Sequence, residues 1–253
     1  MVWNTVLRSV VVGFSLIFSI CLQAQVEQNK INPTSNNNNI FDNNKRTIQY
    51  DPSIPFDTII PKGFTIREKQ SLKGLDYYID EKDEIDIVSS LPAMFHNDYN
   101  ALVVGGSYFT KQIPVNKLKE ICATSSLPLI LLGGTDDATS AEQVYQLNKN
   151  KVLNLCGKLN LNQSASIIQQ ANKVITSDTG LMHIAAAYKK DIISLWGNTI
   201  PEFGMGPYLA GKNSQILEVT NLSCRPCSKL GYKKCPKGHF KCMNDIQLKD
   251  AQF

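Results

Sequence analysis

From about Leu72 onward, short apolar runs alternate with amphipathic stretches of helical length. The runs show no regular polar alternation, so each predicts a strand that is buried on both faces of a sheet. Five or six strand-helix units of this kind predict a mostly parallel sheet flanked by helices, which is a single Rossmann-like α/β domain. The predicted strands are 101–104, 128–132, 152–155, 173–176, 191–195 and 216–219, and the predicted helices are 115–124, 141–147, 163–171 and 181–188.

The first 71 residues have a different character. Positions 1–25 combine Arg8, an apolar run and a small-residue exit at Ala24, a pattern typical of a secretory signal peptide, with an uncleaved anchor as the alternative. Positions 26–71 are rich in Asn and Pro and have too few apolar side chains for a core, which predicts a disordered or extended linker. The expected domain is therefore 72–253, and a genuine signal would export it.

The charge distribution excludes one class of partner. A formal net charge of +4 over 253 residues is small, and most basic residues are scattered, so nucleic acid is not the expected partner. One basic cluster near the C-terminus is predicted to be mainly solvated, with phosphate or the acidic lipids of the inner-membrane surface as the alternative contact. It comprises Arg225, Lys229, Lys233, Lys234, Lys237 and Lys241.

The cysteines fall into two groups. Cys122 and Cys156 occupy apolar surroundings and are predicted to be buried free thiols. Residues 224–242, here called the cysteine loop, hold four more, with His239 as a substitute metal ligand. The CxxC spacing of the first pair is typical of structural zinc, whereas the later spacings are not. The pattern favours structural zinc and reduced or disulfide-paired thiols equally. The four are Cys224, Cys227, Cys235 and Cys242.

The residues that follow the predicted strands indicate where a ligand would bind, because parallel sheets bind ligands at the carboxyl ends of their strands. Lys111 lies beyond the first strand and Asp137 beyond the second. The sharpest signal is the segment 177–183, in which the fourth strand ends in Asp178 and a helix then begins. Gly180 opens this helix, and His183 lies in its first turn.

The chemistry of this segment suits a pyrophosphate. The Thr179 hydroxyl and the free amides of the helix N-terminus can bind phosphate oxygens, and Lys111 can neutralise their charge. The alternative is that Asp178 or Thr179 only caps the helix and His183 is a core histidine. The sequence has no GxGxxG or P-loop pattern, so neither a dinucleotide dehydrogenase nor an ATPase is expected, and no cofactor is required.

The run Ser177-Asp178-Thr179-Gly180-Leu181-Met182-His183 resembles the signature of glycosyltransferase family nine, the heptosyltransferases of lipopolysaccharide core assembly. The similarity extends over about 74–246 and includes Gly105-Gly106-Ser107, Gly133-Gly134, Trp196-Gly197 and the cysteine loop. The resemblance implies the C-terminal, donor-binding half of an inverting GT-B glycosyltransferase. It also implies a cytoplasmic location, a nucleotide sugar such as ADP-heptose as donor, and lipopolysaccharide core as acceptor.

The resemblance further implies individual roles. Lys111, Thr179 and Gly180 would contact the diphosphate, and Asp137 the nucleotide ribose. Asp178 and His183 would face the sugar and its phosphate, and Met182 would line the nucleotide pocket. The family's N-terminal half and its general base have no counterpart in 1–71, so the resemblance places no catalytic residue in this chain. The alternative is a non-catalytic nucleotide-binding or interaction module that is exported.

Overall fold

The structure is a computed structural model that describes residues 77–249, 251 and 253. All of these residues belong to the unit Gln70–Phe253. The predicted signal segment and linker lie outside the described residues. None of the described helices is long and apolar enough to cross a lipid bilayer.

Six strands form one sheet, in which every neighbouring pair is parallel. The spatial order is β3-β2-β1-β4-β5-β6, so the chain moves outward from β1 in one direction and then returns to place β4 on the other side of β1. The predicted Rossmann-like sheet is confirmed, and each predicted strand agrees within one residue at each end. The strands are β1 (Asn100–Val103), β2 (Leu129–Leu132), β3 (Val152–Asn154), β4 (Lys173–Ser177), β5 (Asp191–Trp196) and β6 (Gln215–Glu218).

The four predicted helices are confirmed, and their starts have local causes. The Asn160 side chain accepts from the backbone N–H of Gln163, whose side chain accepts in turn from the Asn160 N–H, so a capping box begins the third of them. The helices are α1 (Ile87–Ser90), α2 (Val115–Thr124), α3 (Ala138–Tyr145), α4 (Leu161–Gln170), α5 (Gly180–Ala187) and α6 (Lys241–Asn244). Short 3-10 helices span Glu81–Asp83, Ala93–Phe95, Phe109–Lys111, Thr135–Asp137 and Pro201–Phe203.

An apolar cluster covers each face of the sheet. One cluster contains residues of α2 and α3 and C-terminal residues such as Phe240 and Met243. The other contains residues of α4 and α5 together with Trp196. Burial on both faces explains why the central strands show no regular polar alternation, whereas the edge strand β6 is only partly buried. Cys122 and Cys156 are buried free thiols, as predicted.

Replacing Leu131 by Ala tests the packing of the central strands. Leu131 is 0% exposed in β2, so we expect Leu131→Ala to lower the free energy of unfolding by about 2–5 kcal/mol. Leu147→Ala is the matched control, because that side chain is 55% exposed. Urea titration followed by circular dichroism measures both, and equal losses would contradict the assigned core.

Candidate functional site

Three loops at the carboxyl edge of the sheet meet at a buried ion pair. Lys111 follows β1 and Asp178 follows β4, and the Lys111 Nζ lies 2.7 Å from the Asp178 Oδ2. Their side chains are 12% and 6% exposed. Thr199, which follows β5, donates from Oγ1 to the same Oδ2 at 2.9 Å. A carboxylate removed from water in this way needs such partners, and together they hold it in one position.

His183 is electrostatically coupled to this pair. Burial lowers the pKa of His183, Asp178 opposes that change, and Lys111 adds to it. The imidazole is therefore neutral at neutral pH, and a neutral ring has one nitrogen that donates and one that accepts. The structure thus places Lys111 and Asp178 in contact, and His183 close enough to interact electrostatically with both.

The start of α5 is capped and yet open to a ligand. Thr179 Oγ1 accepts from the backbone N–H of Met182 at 3.3 Å and lies 3.1 Å from Thr176 Oγ1. Gly180 is exposed, and no atom lies within 4 Å of the place where a Cβ would stand. Thr179 is therefore the helix cap, whereas Asp178 belongs to the ion pair. Amides at the start of a helix are suited to bind an anion.

Asp137 lies on the other side of β1. It ends the 3-10 helix Thr135–Asp137, and its Oδ2 accepts from the backbone N–H of Gly134 at 2.8 Å. A Cβ at position 105 would overlap this carboxylate, so a side chain there would require the Asp137 side chain to move. Asp137 and Asp178 therefore stand on opposite sides of the loop that carries Lys111.

Met182 occupies a position that differs from the one predicted for it. The resemblance places it on the surface of a nucleotide pocket, but its side chain is 0% exposed and belongs to an apolar cluster. Helical spacing explains the difference, because Met182, Ala185 and Ala186 all belong to the buried face of α5. The side chain supports the helix from within the core and offers no surface to a ligand.

The cysteine loop surrounds a cavity of about 320 Å³ that is lined by all four of its cysteines and by His239. Cys224 Sγ lies 3.8 Å from His239 Nε2, and the four cysteines are free thiols. Burial and the neighbouring thiols raise the pKa of Cys242 to about 11. Among the described residues, no group of three His, Cys, Asp or Glu side chains is arranged to hold a metal ion. The structural zinc stays a prediction.

Arg225 corrects the prediction that the basic cluster is solvated. It is only 7% exposed, while the five lysines of the cluster are exposed. Its Nε donates to Gly197 O at 2.6 Å, its Nη1 to Val219 O at 3.1 Å, and its Nη2 to Thr199 O at 3.2 Å, and it also pairs with Glu218. A guanidinium can be buried in this way because its planar fork satisfies several acceptors at once.

Sequence reasoning missed two residues of this region. Thr199 lies three residues beyond β5, and its position just after a strand is the one sequence feature that could have identified it. Arg225 gave no such signal, because a run of basic residues in a loop is ordinarily a solvated surface.

A parallel sheet with this strand order, and with charged groups and an open helix start at its carboxyl edge, defines a Rossmann-like ligand-binding domain. The model of glycosyltransferase family 9 (heptosyltransferase) matches residues 69–237, and the chain belongs to this family. This membership confirms the family resemblance of the segment 177–183.

Individual relatives agree with the family. Lipooligosaccharide heptosyltransferase 2 of Haemophilus influenzae is 36% identical over 91 residues, which is 34% of this chain and 26% of that protein. Its namesake from Campylobacter jejuni serotype O:2 is 31% identical over 122 residues, which is 47% of this chain and 36% of that protein. The chain thus spans about a quarter to a third of the curated relatives it matches.

A solved structure shows the same fold. The crystal structure of the glycosyl transferase family 9 protein from Veillonella parvula superposes with a TM-score of 0.56 at 21% identity. The match covers 69% of this chain and 50% of that chain.

Acid should destabilise the protein partly through His183. Its folded pKa lies below the ordinary value of 6.5, so the unfolded chain binds a proton more readily and the free energy of unfolding falls as pH drops below about 6.5. This contribution is at most about 1.4 kcal/mol per pH unit. When the pH is lowered from about 7 to about 5, the free energy of unfolding should fall less in His183→Gln than in the wild type. Urea titration at each pH measures both changes. Identical pH dependence in the two proteins would show that His183 is not buried in its neutral form.

Proposed function

We propose that this domain is the donor-binding half of a glycosyltransferase that moves a heptose-like sugar from a nucleoside diphosphate to lipopolysaccharide core. The observation that carries the proposal is the buried Lys111–Asp178 pair, in which Asp178 directly precedes the helix start at Thr179 and Gly180. Cation, hydroxyl and free amides together suit a diphosphate. The transfer requires no cofactor.

Asp178 is suited to orient the donor sugar. Its contacts with Lys111 and Thr199 both engage Oδ2, which leaves Oδ1 to accept a sugar hydroxyl. Lys111 can serve the carboxylate and a phosphate oxygen together, because an ammonium group has three donors. His183, with its neutral ring, can donate to a phosphate oxygen beside them. Asp137, beyond β2, would contact the nucleotide ribose.

The identity of the donor and the acceptor is supported by the relatives. The two curated relatives are named lipooligosaccharide heptosyltransferase 2, which supports a heptose donor and a lipid-linked saccharide acceptor. ADP as the nucleotide follows from the family resemblance. A nucleotide-activated donor favours the cytoplasm, and the exposed lysines of the cysteine loop support contact with phosphates of the acceptor or of the inner-membrane surface.

The proposed transfer proceeds with inversion. The acceptor hydroxyl attacks the anomeric carbon, the bond from that carbon to the diphosphate oxygen breaks, and the diphosphate leaves with the bonding electrons. Lys111 and the amides of α5 stabilise the negative charge that develops on the leaving group. A general base takes the acceptor proton. The family resemblance assigns that base to the acceptor-binding half of the enzyme.

A second candidate function is nucleotide binding without sugar transfer, in an exported module. The observation that favours it is that the groups proposed to bind the diphosphate, Lys111, Thr179 and Gly180, all belong to the described unit, so nucleotide binding depends on this unit alone. Release of ADP from ADP-heptose in the presence of lipopolysaccharide core, by the chain alone and with a separately supplied acceptor half, separates the two functions.

Lys111 and Asp178 should have separable effects on binding. We expect Lys111→Met to weaken ADP binding about tenfold to hundredfold, because it removes a charged hydrogen bond to the diphosphate. Asp178→Asn should weaken ADP binding about tenfold, because Lys111 loses the carboxylate that holds it in place, and should weaken ADP-heptose binding further, because Asp178 faces the sugar. Titration calorimetry with each ligand measures both effects.

Lys149→Met is the charge-matched control, because Lys149 is exposed and precedes β3, at the opposite edge of the sheet. It should bind both ligands like the wild type. A wild-type chain that binds neither ADP nor ADP-heptose would contradict the proposed donor site.

A further inference from the structure

The cysteine loop contacts the residues that hold Asp178. Arg225 donates to Gly197 O and Thr199 O, and the backbone N–H of Cys227 donates to Asn198 O at 3.3 Å. Each of the three residues 197–199 is therefore bonded through its carbonyl to the cysteine loop. Arg225 therefore contacts the carbonyl of the same residue whose Oγ1 donates to Asp178.

The same loop contacts the residues that hold Lys111. The Tyr232 N–H donates to Thr110 Oγ1 at 2.7 Å, and the Thr110 N–H donates to Tyr232 O at 3.2 Å. Thr110 is 1% exposed and precedes Lys111 in the 3-10 helix Phe109–Lys111. The Phe240 ring packs on Phe109 with 5.0 Å between the ring centroids.

A glycine allows the close approach on this side. Gly231 has φ +125°, and a Cβ there would lie 2.7 Å from the Tyr108 Cβ. A side chain would therefore push the cysteine loop away from the residues before Lys111, in addition to being strained by the backbone conformation.

We propose that the cysteine loop positions the donor site. Arg225 fixes the position of Asp178 through Thr199, and Tyr232 fixes the position of Lys111 through Thr110. For its effect on ligand binding, the inference rests on the proposed function. Arg225 and Tyr232 are positioning residues, because each acts through a neighbour of the ion pair. Lysine is a poor substitute for Arg225, since an ammonium on a flexible stem lacks the planar fork that joins three carbonyls and the Glu218 carboxylate.

The first test uses Arg225→Met in the full chain, with Lys117→Met as the matched control. Lys117 is a second buried cation that anchors C-terminal residues, since its Nζ donates to Ile246 O at 2.8 Å and pairs with Glu120, but these contacts do not involve residues 197–199. We expect Arg225→Met to weaken ADP binding about tenfold and Lys117→Met to change it less than about twofold, even where both lose stability. Equal weakening by the two variants would reduce Arg225 to a general stabilising role and overturn the inference.

A double-mutant cycle tests the route through Thr199. Thr199→Val keeps the shape of the side chain and removes its hydrogen bond to Asp178. If Arg225 acts through Thr199, adding Arg225→Met to Thr199→Val should weaken ADP binding by much less than the about tenfold effect of Arg225→Met alone. Strictly additive effects would overturn this route.

Two further measurements keep the inference testable if Arg225→Met does not fold or ADP does not bind. Thr110→Val removes the acceptor of the Tyr232 N–H on the other side of the pair, and it should also weaken ADP binding. Hydrogen exchange of peptides that span 109–112 and 197–200 reports the positioning without any ligand. If the wild type does not bind ADP but the two peptides exchange faster in Thr110→Val and Arg225→Lys, only the proposed function is contradicted. If exchange is unchanged in both variants, the inference itself is overturned.

Discussion

The ion pair between Lys111 and Asp178 joins the two halves of the sheet at the place where the strand order reverses. Lys111 follows β1 and Asp178 follows β4, which are neighbours in the sheet although 67 positions separate the two residues. Removing two charges from water is costly, and the cost is recovered only if the partners keep good geometry. The loops after β1, β4 and β5 must therefore hold their positions together. Under the proposed function, the same requirement gives the donor a fixed set of hydrogen-bond donors and acceptors.

The C-terminal residues help to hold these loops in position. Phe240, Cys242 and Met243 belong to the apolar cluster on one face of the sheet, so the cysteine loop is anchored in the core. From this anchor it reaches both sides of the ion pair through Arg225 and Tyr232. The loop is thus an integral part of the domain, and its thiols line a cavity beside the same arginine. Core packing and site geometry are coupled through a short stretch of chain.

The fold was predictable from local patterns because parallel strands buried on both faces leave unbroken apolar runs. Lys111 and Asp178 could also be found, since residues after such strands face the ligand edge of the sheet. Met182 was assigned to a pocket because of its place in a motif, whereas helical periodicity turns its side chain into the core. Arg225 was assigned to solvent because composition treats arginine and lysine alike, although the guanidinium can be buried against carbonyl groups.

The amino-acid sequence alone established the alternation of strands and helices and the places of Lys111 and Asp178 beyond the carboxyl ends of their strands, because these depend on local periodicity and on where each strand ends. Tertiary structure alone decided the partners of those residues. Thr199 lies 21 residues from Asp178, and Arg225 lies 26 residues from Thr199, so their contacts exist only once β4, β5 and the cysteine loop are neighbours. Hydrogen bonding acts over about 3 Å, whereas sequence periodicity carries no record of which strands will lie side by side.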